Sequence, residues 1–188
     1  MVASAVFVYG VTQVSDLTYS LSELNQLSTA DAEFAFENCC TARSWIQGMV
    51  AARPFQSIEH CLQVADEVWA DMQEEDFLQA FEGHPKIGDV TSLKEKYAHT
   101  KKLASGEQSS VNQASDEVIE RLARGNNEYH EKNGFIFIVC ATGKSAAEML
   151  ALLEARLPNS REQELLNAAA EQAKITAIRI NKLLPQEG

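Results

Sequence analysis

The chain lacks any apolar run near the roughly 20 residues needed to cross a bilayer, its longest candidate being the short stretch Phe135 to Ala141. A membrane span is excluded on that count. The start, Met1 to Val11, is mildly apolar but has neither the cationic opening nor the small-residue cleavage site of a secretory signal. The last residues, Leu184-Pro185-Gln186-Glu187-Gly188, carry no peroxisomal or retention address. These absences predict a soluble, cytoplasmic protein. Basic residues are also scarce: 16 Lys and Arg stand against 27 Asp and Glu, a net charge of −11. That field repels nucleic acid and anionic membranes, so neither is expected as a partner. The four cysteines, Cys39, Cys40, Cys61 and Cys140, form no Cys-x-x-Cys pair and no Cys/His cluster at zinc spacing. No metal site is expected. Adjacent Cys39 and Cys40 allow either a strained vicinal disulfide or two buried helix thiols in a reducing compartment, and the second is the expectation.

Repeats, Pro/Gly/Ser linkers and long charge blocks are missing too, and the 45% apolar share is that of a chain with an ordinary core. One domain of 188 residues is predicted. Residues 1–20 read as a loose extension and 21–185 as the compact part. Within it the apolar spacing is helical. Ile58, Leu62, Ala65, Val68, Trp69 and Met72 recur at steps of three and four, with Ser57 as N-cap. A second helix from Ser115 carries Val118, Ile119, Leu122, Asn126 and Tyr129 on one stripe and stops at Asn133-Gly134. Ser145 with Glu148, and Ser160 with Gln163, have capping-box spacing and open two more. Shorter helices are predicted over 30–40, 42–52 and 74–82. Only Phe135-Ile136-Phe137-Ile138-Val139-Cys140 favours a strand, and one strand has no partner for its ladder. It is predicted to be a buried extended connector in an all-α domain, its backbone groups free to serve a ligand.

Three polar features fall where packing alone would not place them. The first is Gly83-His84-Pro85-Lys86-Ile87-Gly88-Asp89, after the stripe Phe77, Leu78, Phe81. Pro85 biases His84 to extended backbone and ends the helix, so the imidazole projects from a rigid corner. It serves there either as a cap on the last carbonyls or as a proton donor. The second is Ala104-Ser105-Gly106-Glu107-Gln108. A carboxylate in a first helical turn is held charged by the helix dipole, so Glu107 is either simple charge complementarity or an ionised acceptor. The third is Arg179, about 40° around the helix from both Ile175 and Leu183, inside the apolar arc. A guanidinium there needs an internal carboxylate such as Glu107, or it binds an anion in a pocket.

His84-Pro85-x-Ile87-Gly88, Glu107-Gln108, Asn126-x-x-Tyr129, Lys132-x-Gly134-Phe135-x-Phe137 and Lys174-Ile175-x-x-x-Arg179 occur in that order over residues 21–184. As a set they resemble the 2-oxo-4-hydroxy-4-carboxy-5-ureidoimidazoline (OHCU) decarboxylases. The resemblance implies an all-α fold, a homodimer, and conversion of OHCU to (S)-allantoin and carbon dioxide in urate breakdown with no metal or organic cofactor. It places catalysis on His84 and Glu107. Substrate contacts fall on Pro85, Gln108, Arg179 and the main chain of Phe137, Ile138, Val139, Cys140 and Ala141. The family pattern has Ser three residues before Glu107. Here that position is Ala104 and the hydroxyl moves to Ser105, so both are carried as substrate-contacting positions. Asn133 replaces a usual Phe, a change of packing more than of chemistry.

No cofactor is required because the substrate holds its own electron sink, an imine carbon beside the carbon bearing the carboxylate. The protein has to hold the carboxylate out of the ring plane, exclude water and protonate one face. Composition is equally compatible with an unrelated imidazolone hydrolase or lyase, or with a non-catalytic ligand-binding or interaction module in which His84, Glu107 and Arg179 form a structural polar network.

Overall fold

A computed structural model describes residues 17–85, 90, 91, 93 and 110–185. Among them are eight helices and no strand: α1 Leu21–Gln26, α2 Thr29–Glu37, α3 Arg43–Ala51, α4 Ile58–Ala70, α5 Glu74–Glu82, α6 Ser110–Asn133, α7 Ala146–Arg156 and α8 Arg161–Leu183. The all-α expectation holds, and the predicted caps are in place. Ser57, Ser145 and Ser160 each accept a hydrogen bond from the third residue of the helix they open, and Ser145 and Glu148 complete a reciprocal capping box.

Three boundaries differ from expectation. The helix predicted over 30–40 is Thr29–Glu37. Cys39 and Cys40 follow it in a turn, both N–H groups donating to the Phe36 carbonyl. The apolar stripe runs past the helix there because the turn is itself buried. The segment 42–52 trims to Arg43–Ala51, and the helix expected from Ser115 starts at Ser110, a polar turn and a half that apolar spacing does not register. The four thiols are free. Burial pushes Cys39 and Cys61 up to about 12 and Cys40 to about 11, so they stay protonated at neutral pH.

Helix α8 packs against α4, α5 and α6, while α2, α3 and α4 pack in succession and α7 lies on α6. Trp45 and Trp69 fill the core, and each indole N–H is satisfied by a backbone carbonyl, of Ala65 and Ala169 respectively. At the start of the described chain, the Tyr19 N–H donates to the Leu183 carbonyl.

The connector is extended and pairs with no strand among the described residues. Gly134 starts it at φ +80°, a left-handed value that a side chain would strain. Its depth is set by Glu164, fully buried on α8. That carboxylate accepts from Arg156 Nε (2.7 Å), Asn159 (2.7 Å), Asn167 (2.7 Å) and the Tyr129 hydroxyl (2.5 Å). Arg156 in turn donates to the Ile138 carbonyl at 2.8 Å and lies 4.7 Å from the centroid of the Phe137 ring.

Burial alone would push the Glu164 carboxyl up. The four hydrogen bonds outweigh it and hold the pKa below the ordinary carboxylate value. A depressed native pKa stabilises above the unfolded value of 4.5 and is lost as pH falls through the native one. Glu164→Gln, which leaves Arg156 buried without its countercharge, is expected to cost about 3–5 kcal/mol at pH 7. Urea titrations of both proteins between pH 7 and 3 check this: the gap between them should narrow as pH falls from about 4.5 toward the lower native pKa, the unfolded carboxylate taking up its proton first.

Candidate active site

Helix α5 ends at a corner that holds His84 half-buried and facing α8. Gly83 closes the helix, and a β-carbon there would lie 2.4 Å from the Thr41 hydroxyl, which accordingly approaches closely enough to donate to the Gln79 carbonyl. With the corner seated on Thr41, the His84 ring reaches across to α8, its Nε2 lying 2.6 Å from Oε1 of Gln172. The histidine therefore engages another helix.

His84 and Pro85 form part of the wall of a cavity of about 300 Å³. Opposite them the connector contributes Phe137, Ile138, Val139, Cys140 and Ala141, and α8 contributes Arg179. Eight of the residues singled out from the sequence thus converge on one space, drawn from three separate segments. The backbone of the connector is less free than expected. The Ile138 carbonyl is taken by Arg156, the Cys140 N–H by Glu171 (2.7 Å) and the Cys140 carbonyl by Lys144 (2.8 Å). These side chains clamp both ends of a short span. Among the described residues, the main chain of Phe137 and Val139 has no hydrogen-bond partner, so these are the groups open to a ligand.

Arg179 is half-buried and donates to the Cys39 carbonyl at 3.0 Å. No described carboxylate pairs with it. Its described anchor is a neutral carbonyl, which fixes the guanidinium without neutralising it. Lys182, one turn further along α8, adds a second cation at the rim. Ala104, Ser105, Glu107 and Gln108 lie outside the described residues.

Sequence reasoning missed Gln172, Lys182 and the apolar wall residue Ile178, and did not assign Asn126 or Ile175 to the site although their motifs were noticed. A signal for Gln172 existed. It stands seven residues before Arg179, two turns away on the same stripe, and is a polar residue inside an apolar arc for the same reason Arg179 is conspicuous. Glu171 gave no such signal, because its role depends on the connector lying beside α8.

A model of the OHCU decarboxylase family matches residues 25–181. The uric acid degradation bifunctional protein TTL of Arabidopsis thaliana is 35% identical over 146 residues, which are 77% of this chain and 45% of that protein. The 2-oxo-4-hydroxy-4-carboxy-5-ureidoimidazoline decarboxylase of Haloferax volcanii is 25% identical over 169 residues, 89% of this chain and 98% of its own length. The chain thus spans about half of the bifunctional relative and nearly all of the shorter one. A crystal structure of an OHCU decarboxylase in the presence of (S)-allantoin superimposes with a TM-score of 0.64 at 32% identity, over 80% of this chain and 97% of that one.

Because Arg179 borders a cavity and rests on a carbonyl, removing its charge should leave the apo fold intact. Arg179→Met is expected to change stability in urea by no more than about 1.5 kcal/mol, the value of one hydrogen bond. A loss of about 3–5 kcal/mol would instead identify a buried ion pair.

Proposed function

The chain belongs to the OHCU decarboxylase family, and from that premise we propose that it converts 2-oxo-4-hydroxy-4-carboxy-5-ureidoimidazoline to (S)-allantoin and carbon dioxide in urate breakdown. The observation that carries this reading is the convergence of His84, Arg179 and the connector backbone on one cavity of about 300 Å³, a volume at the lower end of small-molecule sites.

The substrate's own groups dictate the chemistry. The bond from ring position 4 to the carboxylate breaks, and its electron pair moves toward the adjacent imine at position 5, whose nitrogen takes a proton. Carbon dioxide leaves an enol-like double bond between positions 4 and 5. A proton delivered to one face of position 5 sets the (S) centre, and the hydroxyl at position 4 gives up its proton to become a carbonyl. One proton is consumed overall for each carboxylate lost. No external electron sink is needed, so neither metal nor organic cofactor has a step to perform.

The residues divide this work. His84 delivers or relays the proton to position 5 from its rigid corner. Arg179 attracts and holds the anionic substrate, and the open main-chain groups of Phe137 and Val139 bind the ring or its ureido arm. Pro85, Ile138, Cys140 and Ala141 shape the wall. Glu107 orients His84 or the substrate hydroxyl, Gln108 adds a grip on the ureido group, and Ala104 with Ser105 completes the substrate contacts. The working unit is residues 21–185 as a cytoplasmic homodimer, with residues 1–20 as an extension.

A structural polar network does exist, but it is the cluster around Glu164, and neither His84 nor Arg179 takes part in it.

Circular dichroism of freshly generated OHCU tests the reading. The protein should produce a rapid (S)-allantoin signal, and a trace matching the spontaneous racemic decay would refute the assignment. His84→Asn should fold normally yet lose at least about 10²–10⁴ in rate, the worth of general acid catalysis, together with the stereospecific product. An unchanged rate in the folded variant would move the proton donor to another group.

A further inference from the structure

We propose that Gln172 is a positioning residue that holds His84 as the tautomer protonated on Nε2, so that the imidazole exchanges its working proton through Nδ1. The inference rests on the reading of His84 as proton donor and adds which nitrogen acts and what sets it.

Gln172 is fully buried, and Thr176, one turn on, nearly so. A primary amide at that depth is tolerated only when its oxygen and its N–H groups have partners. The carboxamide spans two of them: Oε1 stands 2.6 Å from His84 Nε2, and Nε2 stands 3.2 Å from Thr176 Oγ1. The Gln172 amide nitrogen donates to the Thr176 hydroxyl oxygen, and a carboxamide that donates there presents Oε1 to the histidine.

An amide oxygen has no proton to give. His84 Nε2 must therefore carry one, since two lone pairs 2.6 Å apart inside an apolar core would repel. The hydrogen bond made by one ring nitrogen decides the state of the other, which makes Nδ1 the nitrogen that gains and loses a proton. Geometry agrees. Gln172 is absent from the cavity wall while His84 belongs to it, so the edge bearing Nε2 is turned into the interior.

The two side chains behind the imidazole, Gln172 and Thr176, are uncharged. A neutral acceptor orients the ring through Nε2 and adds no charge of its own at that nitrogen.

Nitrogen-15 spectroscopy of histidine-labelled protein, free of substrate and near neutral pH, reads the tautomer directly. The expected spectrum has a His84 ring proton on Nε2, protected from solvent exchange. A neutral ring protonated on Nδ1 would overturn the proposal. Gln172→Met keeps the volume and removes the acceptor. It should expose the Nε2 proton to rapid exchange and lower kcat on the order of 10- to 100-fold, with KM changed less than about threefold because Gln172 does not touch substrate. Gln172→Glu restores an acceptor and should restore the protected proton. A folded Gln172→Met enzyme with wild-type kcat and an unchanged ring signal would refute the role. Turnover of OHCU by the wild-type protein tests the decarboxylase reading separately, since the tautomer is read without substrate.

Discussion

One buried carboxylate holds the architecture together. Glu164 gathers Tyr129 from α6, Arg156 from the end of α7, Asn159 from the following turn and Asn167 from its own helix. Removing a charge from water costs several kcal/mol, and what offsets that cost here is a set of donors that no unfolded conformer could assemble. The cluster therefore forms only when α6, α7 and α8 have docked in one register. Its guanidinium member then reaches on to the Ile138 carbonyl and lies against the Phe137 ring. The connector, which forms no hydrogen-bonded ladder of its own, takes its position from a charge pair lying behind it.

Helix α8 accordingly has two regions with different duties. Near its start Glu164, steadied by Asn167 of the same helix, secures the neighbouring helices, and in the middle Glu171 fixes the Cys140 N–H. Beyond that point the same helix holds His84 through Gln172 and presents Arg179 and Lys182 to the cavity. A continuous helix of 23 residues is a stiff ruler, with a rise of about 1.5 Å per residue. The distance between the structural cluster and the site is then set by the helix itself, which suits a reaction whose stereochemistry depends on where one proton arrives.

The charge distribution resolves an apparent conflict. A chain with a net charge of −11 should repel an anionic substrate, yet the described wall of the cavity carries two cations and no carboxylate. Screening limits the surface acids to about 8–10 Å at ordinary ionic strength, whereas a half-buried guanidinium acts at close range through a medium of lower polarity. The global field disfavours polyanions, while the local one at the cavity has the opposite sign.

Most of the helices were legible in the sequence, because amphipathic spacing and Ser caps are short-range signals that depend on nothing beyond one or two turns. The oddity of His84, Arg179 and the apolar connector was legible for the same reason: each broke a local rule of patterning or turn chemistry. Their convergence was not. Whether Arg179 met a carboxylate or a carbonyl, and whether His84 capped its own helix or crossed to another, depended on residues such as Cys39 and Gln172 that lie 140 and 88 positions away. The helix boundaries at Glu37 and Ser110 escaped too, since burial of the Cys39-Cys40 turn prolongs an apolar stripe and a polar first turn leaves none. Periodicity and capping are properties of the chain's own geometry, so the sequence by itself determined which segments are helical and which residues do not belong to the core. Partner choice for a buried polar group is a property of the packed interior, where an unsatisfied donor or acceptor costs more than any local preference returns, and for that reason only the tertiary structure decided it.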